Sequence, residues 1–145
     1  MWFARCTIED IKPFIKGNLC ENLGIELTEL GEDFLKAKMP VDHRTKQATG
    51  ILHGGASVAL AETLGSIASS LCVDFSKSYC VGLEINANHI RSVSDGYVYG
   101  TARPLHVGKS THIWEIKIEN QQGKLTCISR ITMAVIERKT INKNK

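Results

Sequence analysis

The spacing of apolar residues changes period along the chain, and each change marks an element. "LGIELTEL" sets Ile25 and Leu27 on alternate positions, and "FLKAKMPV" alternates Leu35, Ala37 and Met39 with Lys36 and Lys38. Both read as strands, joined through the turn residues "GED". From about Gly55 to Cys72 the period lengthens: Leu60, Leu64, Ile67 and Leu71 recur at three- and four-residue steps, one stripe of a long helix. Four strand-like runs follow. "YCVGLEINANHI" alternates Val81, Leu83, Ile85 and Ala87 with Glu84 and Asn86, and "GYVYGTARP" comes next. In "STHIWEIKIE" the residues His112, Trp114, Ile116 and Ile118 share one face, and "KLTCISRITMAVI" closes the series after the turn signals "SDG" and "NQQG". Ahead of all of them, Thr7 is placed to cap a short helix reaching Lys16, with Glu9 and Asp10 in its first turn and Pro13 as an interruption. One apolar helix between two strands and a meander of four predicts an α+β domain, an antiparallel sheet of about six strands wrapped around that helix.

The helix carries an anomaly. "GILHGGASVALAETLGSIASS" holds a single charged residue, Glu62, and no other Asp, Glu, Lys or Arg occurs between Lys46 and Asp74. On a helical wheel Glu62 falls away from the leucine stripe, among Val58, Ala59, Ser66 and Ser69. A face this small and uncharged predicts a second covering surface, and in a small domain that surface is another subunit. A carboxylate buried there is costly without partners. It is either an interface device or a functional group with a perturbed pKa, and composition leaves both open. The residues before it bear on the choice. "HGG" at the start of the helix supplies unpaired N–H groups, a partial positive charge and close backbone approach, which suit the oxyanion formed when an acyl carbonyl is attacked. His53, Gly54, Glu62 and Ser66 thus put an imidazole, an oxyanion donor, a carboxylate and a hydroxyl on one helix.

Composition narrows the alternatives. The chain has 145 residues, 43% hydrophobic and 23% charged, which predicts one globular domain over residues 1–136 and a polar, basic tail over 137–145 that is expected to fray. No repeat, linker or low-complexity segment divides it. The net charge of +3 is too small to argue for nucleic acid, and no aromatics interleave with the basic tail. Five scattered cysteines form no metal-ligand spacing, so no zinc is expected, and they fit a reducing, cytoplasmic compartment. The N-terminus does not read as a signal peptide, and no apolar run is long enough for a membrane span.

Four stretches, "MPVDHRTKQ", "GILHGGASVALAETLGSIAS", "VGLEINANHIRSV" and "PLHVGKSTHIWEIKI", together resemble the hotdog-fold acyl-CoA thioesterases. They are most similar to the branch that hydrolyses dihydroxynaphthoyl-CoA in menaquinone biosynthesis and to its sister that proofreads aryl carrier proteins in siderophore synthesis. The resemblance implies a sheet wrapped on a central helix, dimers with continuous sheets paired into homotetramers, active sites between subunits, and an acyl-CoA or acyl-carrier-protein thioester as substrate. It implies that Glu62 is the catalytic carboxylate, as nucleophile or as general base on water. Gly54 would offer its N–H to the thioester oxygen, with Gln47 polarising or positioning that group. His53 would sit near the leaving thiolate, Ser66 would position water or acyl group, and Gln47 and His53 would reach Glu62 from the partner subunit. The resemblance also assigns Gly82, His89, Arg91 and Ser92, and His106, Gly108, Lys109, Ser110 and Thr111, to the CoA side. No metal or cofactor is implied, since the CoA thiol leaves readily.

Two features depart from the family's pattern. Ala48–Thr49 stands after Gln47, where the naphthoyl branch carries Pro and Phe, so the acyl pocket is expected to be reshaped; the segment "VDFSKSYC" after the helix differs in length. The competing readings are a non-catalytic module that binds acyl-CoA or an acyl carrier protein, and a hydratase or dehydratase of the same fold, whose His and acid arrangement is not found in this sequence.

Overall fold

The computed structural model describes residues 1–139. Thr7 opens α1 (Ile8–Ile11), and its N–H donates to the Asp10 carboxylate at 2.7 Å, a bond that lowers the Asp10 pKa. The helix expected to reach Lys16 ends after one turn. Proline lacks an N–H, and Lys12–Ile15 tightens into a 3-10 turn around Pro13. A further one-turn helix, α2 (Leu19–Asn22), escapes the periodicity because four residues show no period; Asn18 caps it by accepting from the Cys20 N–H at 3.0 Å.

The strands are β1 (Glu26–Leu30), β2 (Leu35–Pro40), β3 (Ser78–His89), β4 (Tyr97–Val107), β5 (Thr111–Glu119) and β6 (Leu125–Glu137), and α3 (Gly54–Leu71) lies between β2 and β3 in sequence. They form one antiparallel sheet in the order β1-β2-β4-β5-β6-β3. The expected meander of four is therefore a meander of three: β3 pairs with β6, not with β4. The connectivity explains why. α3 leaves the β2 side, packs across β2 through β6, and ends near the opposite edge. The short link over residues 72–77 then lets β3 begin only there. Alternation reveals that a segment is a strand but not which neighbour it pairs with.

The concave face of the sheet meets α3. Leu35, Ala37 and Met39, and His112, Trp114, Ile116 and Ile118, are buried there as their alternation predicts, and Val98 and Ala102 of β4 join them. Leu60 and Leu64 are buried against them. Gly65 lets the helix approach closely, because a Cβ there would collide with the Ile131 side chain on β6. His112 is buried with Nδ1 unpartnered, and its burial lowers the imidazole pKa.

Two expectations about the helix and the tail change. Ser69 belongs to the core and not to the far face with Glu62. The sheet curls around the helix end, so Trp114 Nε1 donates to Ser69 Oγ at 2.7 Å and Cys80 Sγ reaches the Ser69 carbonyl. The tail begins later than expected, since β6 runs to Glu137 and Arg138 is tied by its N–H to the Lys77 carbonyl and by Nε to the Phe75 carbonyl, each at 2.7 Å. Residues 140–145 of that tail lie outside the described residues.

The N-terminus closes one end of the core. Trp2 Nε1 donates to the Gly31 carbonyl at 2.7 Å, and its ring stacks on Trp114 with centroids 6.2 Å apart. Because the Trp114 indole N–H has Ser69 Oγ as its acceptor inside the core, Ser69→Ala is expected to cost about 1–3 kcal/mol by leaving that donor unsatisfied. Urea denaturation of the variant, with an unchanged slope against denaturant, measures it.

Candidate active site

The segment between β2 and α3 is a braced tongue. Thr45 is buried, with Oγ1 donating to the Pro40 carbonyl at 2.7 Å. Arg44 clamps Asp42 through Nε and Nη2 and holds that carboxyl at about 2. Lys46 bridges Leu52, the Leu52 N–H donates to the Val93 carbonyl at 2.7 Å, and the His53 N–H donates to the Thr45 carbonyl at 2.8 Å. Gln47 therefore stands at a fixed tip, where its amide donates to Thr49 Oγ1 at 3.0 Å. The small Ala48–Thr49 pair is exposed there. No sequence pattern singles out Thr45, Leu52 or Val93 as site residues; the "DHRT" turn is the available signal, since side chains of this type commonly fold back on nearby backbone.

His53 is the N-cap of α3: its Nδ1 accepts from the Gly55 N–H at 2.8 Å. This bond requires Nδ1 to be unprotonated, so the neutral ring carries its proton on Nε2. Helix geometry leaves the Gly54 N–H free, and among the described residues no acceptor faces it. The Gly54 backbone opens on a cleft of about 370 Å³ lined by Gln47, Gly54, Ser57, His89, Arg91 and Ser92. The His53 ring faces a different depression, beside Leu19, Leu23, Arg44, Lys46 and Ala59. So Gln47, Gly54, His89, Arg91 and Ser92 share one cleft, while the imidazole of His53 lies on the other side of the helix start.

Glu62 and Ser66 lie elsewhere in the chain. Within one chain both are half-buried, on the side of α3 away from the leucine stripe. Among the described residues Glu62 has no ion pair or hydrogen bond. Its Oε1 is 2.8 Å from where a Cβ on Gly82 would stand, so a side chain there would push the carboxylate aside. Gly82 is thus against the carboxylate, at a bulge of β3 where Leu83 is the extra residue. Ser66 Oγ lies 4.0 Å from Met133 Sδ. Met133, also unmarked by the sequence, is the floor beneath both Gly82 and Ser66. Eight residues of helix separate Gly54 from Glu62, about 12 Å along the axis.

The two stretches assigned to CoA lie at opposite ends of the sheet within one chain. His89 pairs with Cys127 and Thr111 with Ala134, seven steps apart along β6, or about 23 Å. Arg91 Nη1 donates to the Leu125 carbonyl at 2.8 Å. Gly108, Lys109 and Ser110 form the turn between His106 near the end of β4 and Thr111 at the start of β5, and the Gly108 N–H donates to the Thr111 carbonyl at 2.9 Å. Among the described residues no cluster of three His, Cys, Asp or Glu side chains is arranged to hold a metal, and no helix is long and apolar enough to cross a membrane.

Comparison with known proteins gives concordant matches. Residues 49–127 match the Thioesterase superfamily. The chain is 46% identical to the 1,4-dihydroxy-2-naphthoyl-CoA hydrolase of Escherichia coli, with 94% of this chain and 99% of that protein covered. It is 49% identical to the proofreading thioesterase EntH of Cronobacter turicensis, covering 94% of this chain and 98% of that one. Among solved structures, a mutant of thioesterase PA1618 from Pseudomonas aeruginosa superposes with a TM-score of 0.92 at 47% identity, covering 94% of this chain and 99% of that chain.

The capping geometry separates the structural from the chemical use of His53. His53→Ala is expected to lose about 0.5–2 kcal/mol of stability through the lost cap, whereas His53→Asn, a good N-cap, keeps it. Denaturant midpoints of the two variants, read against wild type, give the comparison.

Proposed function

The chain belongs to the thioesterase superfamily, has its hotdog fold and is a thioester hydrolase, and from that premise we propose that it hydrolyses an aryl or medium-sized acyl-CoA at a site shared between two copies, with Glu62 as the attacking carboxylate or as the base on water. The observation that carries this reading is the separation between the free Gly54 N–H and the unpaired Glu62 carboxylate on one helix. A thioester carbonyl must lie within about 3 Å of both its oxyanion donor and its nucleophile or base, and two helical turns are too far for one chain to offer both.

A second copy supplies what is missing. β3 pairs on one side only, with β6, and presents Val81 and Leu83, 40% and 64% exposed, along the sheet edge. An unpaired edge of this kind invites another strand. Antiparallel pairing of two β3 edges would continue the sheet through both chains. It would also set the His89–Ser92 end of one β3 beside the opposite end of the other, where that chain's β4–β5 turn lies. The basic, hydroxyl-rich segments that are far apart in one chain would then flank one CoA. Further pairing of such dimers would give the homotetramer.

At this site the Gly54 N–H would take the thioester oxygen, Gln47 would position the carbonyl, and Ser66 would hold water or the acyl group beside Glu62, while His53, expected near the departing sulfur, would serve through its cap on the helix start. As nucleophile, Glu62 bonds to the carbonyl carbon, the C–S bond breaks, and thiolate leaves; water then opens the mixed anhydride to free acid and regenerates the carboxylate. As base, Glu62 takes a proton from water as the water oxygen bonds to that carbon, and the same C–S bond breaks. Neither route asks for a metal or cofactor. The side chains of His89, Arg91, Ser92 and Lys109 suit the pantetheine and phosphates of CoA or the arm of a carrier protein. Similarity to the naphthoyl-CoA hydrolase supports an aromatic acyl group, and the small Ala48–Thr49 pair supports a broader one. The free cysteines fit a cytoplasmic protein.

Glu62→Gln is expected to lower kcat by about 10²–10⁴-fold while the oligomer seen by light scattering stays intact. Thiol release from aromatic, medium-chain and long-chain CoA esters and from a carrier-protein thioester, wild type against variant, checks this. Undiminished hydrolysis by the variant removes Glu62 from the chemistry.

A further inference from the structure

We propose that His89 is a catalytic residue of this hydrolysis, its Nε2–H acting beside the Gly54 N–H as a second donor to the thioester oxygen. The inference rests on the reading above, in which Gly54 receives that oxygen, and moves His89 from the nucleotide end of the substrate to its reacting end.

The geometry begins with a missing side chain. A Cβ placed on Gly54 would stand 2.8 Å from His89 Nε2, 3.1 Å from Cε1 and 3.3 Å from Cδ2. The edge of the imidazole fills the space that any other residue's side chain would take. A Cβ is about 2.5 Å from its own amide nitrogen, so His89 Nε2 is within about 5 Å of the Gly54 nitrogen. Two donors at that spacing can both reach one oxygen at about 2.9 Å, the arrangement an oxyanion requires.

Two of the neighbouring polar side chains are already engaged. The Gln47 amide donates to Thr49 Oγ1, and the His53 ring is held by its cap and faces the other depression. Neither nitrogen of His89 has a partner among the described residues. Its backbone, in contrast, is fixed: His89 pairs with Cys127, the Ile90 and Arg91 N–H groups both donate to the Thr126 carbonyl, and the Arg91 guanidinium is tied to Leu125. The side chain itself is exposed, so the fixed backbone and the gap above Gly54 set where the ring stands, and a donor placed there stabilises an oxyanion as its charge develops. When the carbonyl carbon is attacked, its π pair moves to oxygen and the Gly54 N–H and His89 Nε2–H hold the charge. The pair returns as thiolate leaves, and no proton departs from His89.

The test uses the full-length protein and an S-acyl-N-acetylcysteamine thioester, which has no nucleotide or phosphate. His89→Ala is expected to lower kcat on the order of 10²-fold with KM within a few-fold, and His89→Gln, which brings back an N–H donor, to recover part of the loss. Gly54→Ala keeps the peptide N–H but displaces the ring, so it should show a similar loss. The double variant should be no worse than the poorer single one, because both remove the same interaction. Unchanged kcat for His89→Ala on this truncated ester, a loss confined to KM, or losses that multiply in the double variant would overturn the inference. Glu62→Gln in the same assay separates the two levels. If wild type is active, Glu62→Gln is not, and His89→Ala is unimpaired, only the role of His89 falls. If wild type hydrolyses no thioester, the reading beneath it falls as well.

Discussion

An α-helix advances about 1.5 Å per residue and cannot be shortened, so Gly54 and Glu62 of α3 are fixed about 12 Å apart. Much of the architecture serves to hold that spacing still. α3 lies in the concave face of a single sheet, with Gly65 admitting Ile131 and the leucine stripe filling the cavity below. At one end the helix is capped by His53 and braced by the tongue from Asp42 to Leu52; at the other it is fastened through Ser69 to Trp114. A helix anchored at both ends makes the free N–H at its start and the carboxylate near its middle two fixed points. Chemistry that needs both within reach of one carbonyl must bring a second helix to the first.

The surfaces left open agree with that requirement. The side of α3 bearing Val58, Ala59, Glu62 and Ser66 is only half-buried, and β3 is a sheet edge with exposed apolar residues. The same strand carries Gly82 against Glu62 and His89 against Gly54. Both fixed points of the helix are therefore touched by one strand, each through a glycine, one on the strand and one on the helix. Such close approach is what the absence of a Cβ permits.

Sequence reading reached the helix, all six strands and the inward row His112, Trp114, Ile116 and Ile118, because burial on one face leaves a period that survives in the chain. It did not reach the pairing of β3 with β6. Partner choice depends on where α3 delivers the chain, and that is a three-dimensional fact. The helical wheel placed Glu62 correctly away from the stripe but put Ser69 beside it; a wheel treats the sheet as flat, and this one curls around the helix end. For the site, "HGG" and the solitary Glu62 were legible as candidates. The division of Gly54 and the His53 ring between two depressions was not, because adjacent residues at a helix start point in different directions, and a capping side chain turns back toward its own backbone.

The bulge in β3 joins these points. An extra residue at Leu83 lets Gly82 lie under the carboxylate while Ile85 and Ala87 resume the inward alternation toward His89. Without it, pairing with β6 would shift by one residue beyond Gly82, and the side chains from Glu84 onward would exchange faces, turning the His89 imidazole away from Gly54. The bulge thus sets both ends of the strand in register with α3: glycine at the carboxylate, histidine at the helix start. On the proposed reading, an edge strand paired to a second copy would carry this register into the partner. The position of each carboxylate would then depend on the same strand that builds the dimer, which gives a physical reason for catalysis and assembly to be coupled in this chain.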